Sequence, residues 1–268
     1  MKPAVRVTRY APALAGWPEH MPLRIVVLTD FHICEPFMTA RHVSAICAQA
    51  NALGGDLIVL LGDFLSGPRF SWPPKGQWAS PLKALSAPLG VHAILGNHDY
   101  NEEPKGVTTG VERALNAAGI PVYINRAIRI EHAGYGFWLA GLGDQYAFLP
   151  EGSSHQVGHG ADDLPATLAQ ITTAEPVLLM AHEPDVFADL PDRVALTMSG
   201  HTHAGQVRLF GHAPVVPSRF GKRFLHGHMV EGGKHLIVSS GLGYSGLPIR
   251  IGAPTEIVVV ELCGAPRT

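Results

Sequence analysis

The sequence predicts an α/β fold, and three features of the chain support that fold class. Short runs rich in Val, Ile and Leu recur along its length, and amphipathic helical segments lie between several of them. One further stretch has the alternating pattern and the central turn of a β-hairpin. This mixture predicts parallel strands that are joined by helical crossovers, together with some antiparallel pairing.

The apolar runs are the predicted strands. Continuous runs of this length are typical of strands that are covered on both faces of a sheet. In chain order, the runs span residues 23–29, 56–62, 91–96, 177–181, 194–200, 235–240 and 256–262.

Two segments between the runs are predicted to form helices, and another is predicted to form the hairpin. Residues 39–55 carry apolar side chains at helical spacing and end in two glycines. Residues 108–119 contain a capping box of Thr109 and Glu112 and end in a glycine. Residues 122–144 contain two alternating runs around the turn-prone sequence HAGY.

Composition limits the kind of protein. The chain has 268 residues, of which 16% are charged and 46% are apolar, and its formal net charge is −2. No repeat, charge block or low-complexity linker divides it, so we expect a single domain over residues 1–268 with its core at about 23–262. Because the chain has no excess of basic residues with which to displace counterions from phosphates, we expect no nucleic-acid partner.

Cysteine usage and hydropathy indicate the compartment. Cys34, Cys47 and Cys263 are an odd, scattered set that suits a reducing environment. No apolar run reaches the roughly 18 residues of a membrane-spanning helix, and the N-terminus lacks the apolar core of a secretory signal. We therefore expect a soluble, cytoplasmic chain, which would be membrane-peripheral if an anchor preceded Met1 in the natural protein.

Residues that can bind metals follow five of the predicted strands, which end in TDFH, GDF, GNHD, AHEPD and GHTH. Because the carboxyl ends of parallel strands share one edge of a sheet, we expect these side chains to meet in one crevice. Gly62, Gly96 and Gly200 allow the backbone to turn sharply there. The donors, in chain order, are Asp30, His32, Asp63, Asn97, His182, His201 and His203.

The types and spacing of these donors suit two closely spaced divalent ions. Asp30 and His32 are two residues apart, so an extended backbone would point both side chains to the same side. The carboxylate of Asp63 has two oxygens and can bridge two cations about 3.5–4 Å apart. A mixed set of carboxylate, amide and imidazole donors favours Mn, Fe or Zn over Ca. The sequence therefore predicts a transition-metal centre.

The ordered motifs resemble those of a known superfamily. The motifs are similar to those of calcineurin-like metallophosphoesterases. In chain order they are D-x-H at 30–32, G-D at 62–63, G-N-H-D at 96–99, His182 and G-H-x-H at 200–203. The segments GNHDY, AHEPDVF and SGHTHAGQV resemble the bacterial branch of YkuE- and YaeI-type small phosphoesterases. The resemblance implies a four-layer α-β-β-α sandwich, in which helices flank two mixed β-sheets, and it spans most of the chain.

The resemblance also implies a mechanism and a division of the donors between two ions. In the implied mechanism, a hydroxide between two ions of Mn, Fe or Zn would attack phosphorus in line with the leaving oxygen. Asp63 would bridge the ions, and His98 would contact the phosphate and assist the leaving group. The first ion is assigned Asp30, His32, Asp63 and His203, and the second is assigned Asp63, Asn97, His182 and His201.

Two positions depart from the family pattern. In protein phosphatases of the superfamily, an Asp three residues after the bridging Asp orients the histidine, but this position is Ser66 here. His98 therefore keeps the implied phosphate contact, while its role as proton donor stays open. Ala204 stands in the turn where the usual bacterial motif GHTHGG has Gly, which matters only if that turn needs a positive φ angle.

Other features leave several roles open. Residues 69–78 and 218–228 combine aromatic and basic side chains. This composition suits a cleft for an apolar or lipid-like phosphoester, contact with a membrane surface, or a loop that packs on its own domain. Arg250 follows a glycine-rich segment and suits either a phosphate contact or a structural turn.

The sequence favours hydrolysis of a phosphodiester or pyrophosphate-type bond. A UDP-2,3-diacylglucosamine-type pyrophosphatase, as in some members of this branch, and a phosphomonoesterase are the enzymatic alternatives. A metal-binding scaffold with lost catalysis, as in the retromer subunit of the superfamily, is the non-enzymatic one, but the donor set here is intact. A nuclease should carry a basic groove, and a protein phosphatase should carry the motif G-D-x-x-D-R-G, where this chain has GDFLSGP.

Overall fold

The computed structural model describes residues 5–74, 76–100, 109–148, 160–210 and 212–263. Within these ranges, no helix has both the length and the apolar character needed to cross a bilayer. The strands of the described residues are β1 (Arg6–Tyr10), β2 (Leu23–Leu28), β3 (Leu57–Leu61), β4 (Val91–Ile94), β5 (Arg126–His132), β6 (Tyr135–Gly141), β7 (Val177–Met180), β8 (Val194–Ser199), β9 (Gly227–Glu231), β10 (Lys234–Val238) and β11 (Glu256–Leu262).

The strands form two mixed sheets. The first has the order β1-β11-β2-β3-β4, in which β2, β3 and β4 are parallel and β11 is antiparallel to β2. The second has the order β5-β6-β7-β8-β10-β9, in which β6, β7, β8 and β10 are parallel. The predicted hairpin is confirmed as the antiparallel pair of β5 and β6 at the edge of this sheet. In each sheet, the carboxyl ends of the parallel strands therefore lie side by side at one edge.

The two sheets pack face to face around a central apolar layer. Ile25 and Val59 of the first sheet belong to the same buried cluster as Leu139 and Met180 of the second. The next residue along β2, Val26, belongs to a different cluster with the helices on the outer face. Because successive side chains of a strand point to opposite faces, the continuous apolar runs serve two layers at once.

Helices cover the outer faces of both sheets. Helix α1 (Ala40–Ala52) and helix α2 (Gly110–Ala117) pack on the first sheet, and α3 (Leu164–Ala169) and the 3-10 helix Pro184–Asp189 pack on the second. The hydroxyl of Thr109 accepts a hydrogen bond from the amide of Glu112, as the capping pattern predicts. The architecture is therefore the four-layer α-β-β-α sandwich that the resemblance implied.

Glu256, the first residue of β11, ties several segments together. Its carboxylate accepts hydrogen bonds from the amide of Ser240 at 2.8 Å and from the hydroxyl of Thr8, and it lies 2.8 Å from Nε2 of His226. Burial alone would raise the pKa of Glu256, but the contacts with His226, Thr8 and the Ser240 amide lower it to about 2.

We expect Glu256→Gln to lower the free energy of unfolding at neutral pH by about 1–3 kcal/mol, because buried donors lose a charged acceptor. The pKa of Glu256 is lower in the folded protein than its ordinary value of 4.5. The ionised carboxylate therefore stabilises the fold fully at pH values above 4.5. The stabilisation is lost as the pH falls through about 2. Urea unfolding of both proteins at several pH values measures the difference, which should shrink in acid.

Glu261→Gln is the matched control on the same strand. Its carboxylate forms exposed ion pairs with Arg9 at 3.3 Å and Arg24 at 3.1 Å, so its removal should cost less than about 1 kcal/mol. Equal stability losses in the two variants at neutral pH would contradict the role of Glu256.

Candidate metal centre

The eight residues predicted for the site follow the carboxyl ends of five strands. The parallel strands of each sheet present these ends at the same edge, and the two sheets bring their edges together. Asp30 and His32 follow β2, Asp63 follows β3, Asn97 and His98 follow β4, His182 follows β7, and His201 and His203 follow β8.

Asp30, His32 and His203 form a first buried group that could hold a metal ion. Nε2 of His203 lies 3.5 Å from Oδ1 of Asp30 and 3.0 Å from Nε2 of His32. Two imidazole nitrogens and a carboxylate oxygen that converge in this way match the donors of a transition-metal site.

Asp63, His182 and His201 form a second buried group that could hold a metal ion. Nε2 of His182 lies 3.3 Å from Oδ2 of Asp63, and the rings of His182 and His201 are 5.1 Å apart. Among the described residues, Oδ1 of Asn97 is buried without a hydrogen-bond partner. Buried polar atoms are rarely left without a partner, so this oxygen fits a bound cation.

Asp63 lies between the two groups. The oxygen that is 3.3 Å from His182 is also 3.5 Å from Nε2 of His32, and the other oxygen accepts a hydrogen bond from the amide of His98 at 3.0 Å. Burial would raise the pKa of Asp63, but His182 and the neighbouring imidazoles hold it well below its usual range. The side chain is therefore an anion that faces both groups.

Main-chain carbonyls orient two of the imidazoles. Nδ1 of His32 lies 2.7 Å from the carbonyl of Ser66, and Nδ1 of His182 lies 2.6 Å from the carbonyl of Leu61. A proton on Nδ1 donates to each carbonyl, which leaves the Nε2 lone pair directed at the centre.

Arg250 contacts His203 on the side of the ring that faces away from the other donors. Its guanidinium donates to the carbonyls of Ser240 and Gly243 and lies 2.8 Å from Nδ1 of His203. Of the two roles that the sequence left open, these contacts favour the structural turn.

The backbone at the donors differs from what the sequence predicts. Asp30 and His32 have φ angles of 52° and 46°, so the extended geometry expected for this pair is wrong. Asp63 and His203 also have positive φ angles, of 54° and 50°. Ala204 has φ of 52°, so this turn does require the conformation that glycine adopts most easily. Such strained conformations cluster at functional sites.

Sequence reasoning missed three buried carboxylates. The first is Asp99, whose oxygens accept hydrogen bonds from the amides of Phe64 and Gly96, both at 2.9 Å, and so join the loops after β3 and β4. The motif GNHD contains this residue, but nothing in the motif indicates its main-chain partners.

The other two are Asp144 and Glu183, which form with His182 a third group that could hold a metal ion. Oε1 of Glu183 lies 3.9 Å from Nδ1 of His201. Burial raises the pKa of Asp144, as does its repulsion by Glu183. The sequence GLGD after β6 repeats the G-D pattern after β3, and this signal could have identified Asp144.

The two aromatic and basic stretches differ in the structure. In 218–228, Arg219 pairs with Asp189, Arg223 pairs with Glu231, and Phe224 is fully buried, so this stretch packs on its own domain. In 69–78, by contrast, large apolar side chains remain exposed.

We expect Gly96→Ala to lower metal content and turnover at least about tenfold, because a Cβ atom at this position would collide with Asp63 and would lie 2.8 Å from Cε1 of His182. Gly134→Ala is the matched control. Its φ is +80°, yet a Cβ atom there would meet no heavy atom within 4 Å, so only stability should fall, by about 1 kcal/mol. Elemental analysis and thermal melts measure both effects, and wild-type metal content in Gly96→Ala would contradict the expectation.

A model of the calcineurin-like phosphoesterase family matches residues 23–205, a segment that contains all the predicted donors. The chain belongs to this family. The uncharacterized metallophosphoesterase YkuE of Bacillus subtilis is 30% identical over 246 residues, which cover 89% of this chain and 78% of that protein. Within the family, the chain therefore resembles the YkuE branch, as the motifs indicated.

Other relatives are longer than this chain. A metallophosphoesterase of Helicobacter pylori is 28% identical, and the match covers 90% of this chain and 60% of that protein. A transmembrane protein with a metallophosphoesterase domain from Danio rerio is 31% identical, and the match covers 90% of this chain and 53% of that protein. The family and the buried groups identify the chain as a metal-dependent hydrolase of phosphoester bonds.

Proposed function

We propose that the protein hydrolyses a phosphodiester or pyrophosphate-type bond at a centre of two metal ions. The supporting observation is that one oxygen of Asp63 lies 3.5 Å from Nε2 of His32 and 3.3 Å from Nε2 of His182, which belong to different donor groups. A carboxylate in this position suits the bridge of a dinuclear site. The first ion would be held by Asp30, His32, Asp63 and His203, and the second by Asp63, Asn97, His182 and His201.

The donors indicate which metals would bind. Imidazole nitrogens and carboxylate oxygens together suit Mn, Fe or Zn, and none of the assigned donors is a thiolate. Two such ions, when bound, supply an activated water and neutralise charge on the phosphoryl oxygens. The protein fixes the positions of the donors through the carbonyls of Leu61 and Ser66 and the guanidinium of Arg250.

His98 is the proposed catalytic residue besides Asp63. Its amide is fixed by Asp63, and its ring stands edge-on to that of His32 with 5.3 Å between centroids. An imidazole at this position would contact the phosphate and donate a proton to the leaving oxygen. Ser66 stands where protein phosphatases of the superfamily carry an Asp, and its carbonyl faces His32.

The decisive experiment compares substrates on protein of known metal content. We expect about two transition-metal ions per chain and faster turnover of bis(p-nitrophenyl) phosphate than of p-nitrophenyl phosphate. UDP-2,3-diacylglucosamine tests the pyrophosphatase alternative, in which UMP is released. A scaffold would bind metals without turnover of any of these compounds, and that result would overturn the proposal.

A further inference from the structure

Two histidines outside the donor groups of the metal centre face each other on neighbouring strands. His228 lies on β9 and His235 lies on β10, and Nε2 of His228 is 2.9 Å from Nδ1 of His235. The ring planes differ by 15°, and the ring centroids are 5.1 Å apart. Because the centroids are so far apart while the nitrogens are so close, the two nitrogens point towards each other.

The antiparallel register of the two strands fixes this pair. His228 lies opposite Ile237 and Val230 lies opposite His235, so the imidazoles occupy diagonal positions on one face of the sheet. Ile237 belongs to the apolar layer between the two sheets, which identifies this face. β9 is an edge strand, and His228 is exposed whereas His235 is buried. The pair therefore lies at the open edge of the apolar layer, where an ion can reach it from solvent.

Neighbouring side chains separate this pair from the H-x-H motif at 226–228. Nε2 of His226 lies 2.8 Å from the carboxylate of Glu256, so this nitrogen already has an anionic partner. The ring of Tyr10 contacts that of His228, with 6.0 Å between centroids. The partner of His228 is therefore supplied by the adjacent strand and not by the residue two positions earlier.

Both imidazoles are neutral at neutral pH. Burial lowers the pKa of His228, and burial together with repulsion from His228 lowers the pKa of His235. In the free protein, one of the two facing nitrogens carries the proton of the hydrogen bond between the rings. When that ring changes tautomer, the proton moves to its other nitrogen, and both facing lone pairs become available to an ion.

The distance between the nitrogens indicates which ion fits. With metal–nitrogen bonds of about 2.0–2.1 Å, nitrogens that are 2.9 Å apart subtend an angle of about 90° at the metal. This is the angle between adjacent ligands in the tetragonal sites of Cu(II) and Ni(II). A tetrahedral Zn ion would need nitrogens roughly 3.3 Å apart, so the rings would have to separate.

We propose that His228 and His235 form a mononuclear site for a tetragonal divalent ion, for which Cu(II) has the highest affinity in the usual order of divalent metals. The two imidazoles supply adjacent ligands, and water on the exposed side of His228 completes the coordination. The site shares no ligand with the proposed dinuclear centre, so the inference does not rest on the phosphohydrolase function.

Copper titration of the metal-loaded protein tests this site. Cu(II) is added up to one equivalent in a non-chelating buffer, and electron paramagnetic resonance reports the bound ion. We expect a tetragonal signal with hyperfine splitting from two nitrogens. After unbound ions are removed, elemental analysis should show about one added copper ion per chain and an unchanged content of the metals that were loaded before.

Two variants assign the signal to the pair. His228→Asn should weaken Cu(II) binding at least about tenfold, because a single imidazole cannot chelate the ion. His228 is exposed on an edge strand, so the Tm of this variant should stay near that of the wild type. His235→Asn removes the other ligand and should weaken binding to the same extent. His212→Asn is the matched control, because this exposed imidazole contacts the carbonyl of Phe210, and it should bind Cu(II) as the wild type does.

Three results would overturn the inference. Equal copper affinity in the wild type and in His228→Asn would place the ion elsewhere on the chain. Release of the loaded metals in proportion to the bound copper would place the ion in the dinuclear centre. A signal that is split by only one nitrogen would exclude chelation by the two imidazoles.

Discussion

Asp63→Asn is expected to lower kcat/KM for bis(p-nitrophenyl) phosphate at least about 10³-fold. The amide has the shape of the carboxylate and can still accept the hydrogen bond from the amide of His98. Its NH₂ group would then face Nε2 of His32 and Nε2 of His182, where the carboxylate oxygen lies now. An NH₂ group, which cannot coordinate a metal, would thus replace the oxygen that lies near one imidazole of each group.

Elemental analysis of the same variant separates loss of metal from loss of chemistry. We expect less than the wild-type metal content, because Asp63 would be a ligand of both ions in the proposed centre. Asp189→Asn is the control, since its carboxylate is exposed and forms a surface ion pair with Arg219. Turnover of Asp63→Asn near the wild-type rate would exclude the bridging role.

The strands that position the site were predictable because each has a continuous apolar sequence, which is typical of a strand buried on both faces. β3, for example, is buried at every residue from Leu57 to Leu61. Strand β1 is not predictable in this way, because it lies at a sheet edge with Arg6 and Arg9 exposed. Its pairing with β11 comes from the other end of the chain, so no local signal marks it. Helix α3 has only six residues and begins beside a proline, which leaves too little apolar periodicity to detect.

The clustering of the candidate donors was predictable for a different reason. Parallel strands align their carboxyl ends, so a donor such as His182 can be placed beside Asp63 from topology alone. The left-handed backbone at Asp30 was not predictable, since it depends on contacts between the sheets, such as the bonds from the amide of His201 to its carboxylate. The role of Asp99 likewise depends on two loops that are distant in sequence.

His98→Asn is the substitution that separates proton donation from phosphate binding. If the imidazole protonates the leaving oxygen, its loss should lower kcat about 10²-fold or more when the leaving group is phenol. A p-nitrophenolate ion leaves without a proton, so the same variant should lose less than about tenfold with that leaving group. Rates for a series of aryl phosphodiesters, plotted against the acidity of the leaving phenol, should therefore become steeper in the variant.

Three results of this series are distinguishable. An equal loss across all leaving groups would limit His98 to contact with the phosphate, because binding does not depend on the proton that the leaving oxygen needs. Wild-type rates throughout would place the imidazole outside the reaction, despite its 5.3 Å separation from the ring of His32. His132→Asn, in which the lost imidazole is half-buried and hydrogen-bonds to the carbonyl of Pro22 at the end of β5, should leave both the rates and the slope unchanged. A steeper slope in His98→Asn alone therefore identifies the proton donor, and it does so in a chain where Ser66 has replaced the carboxylate that orients this histidine in the protein phosphatases.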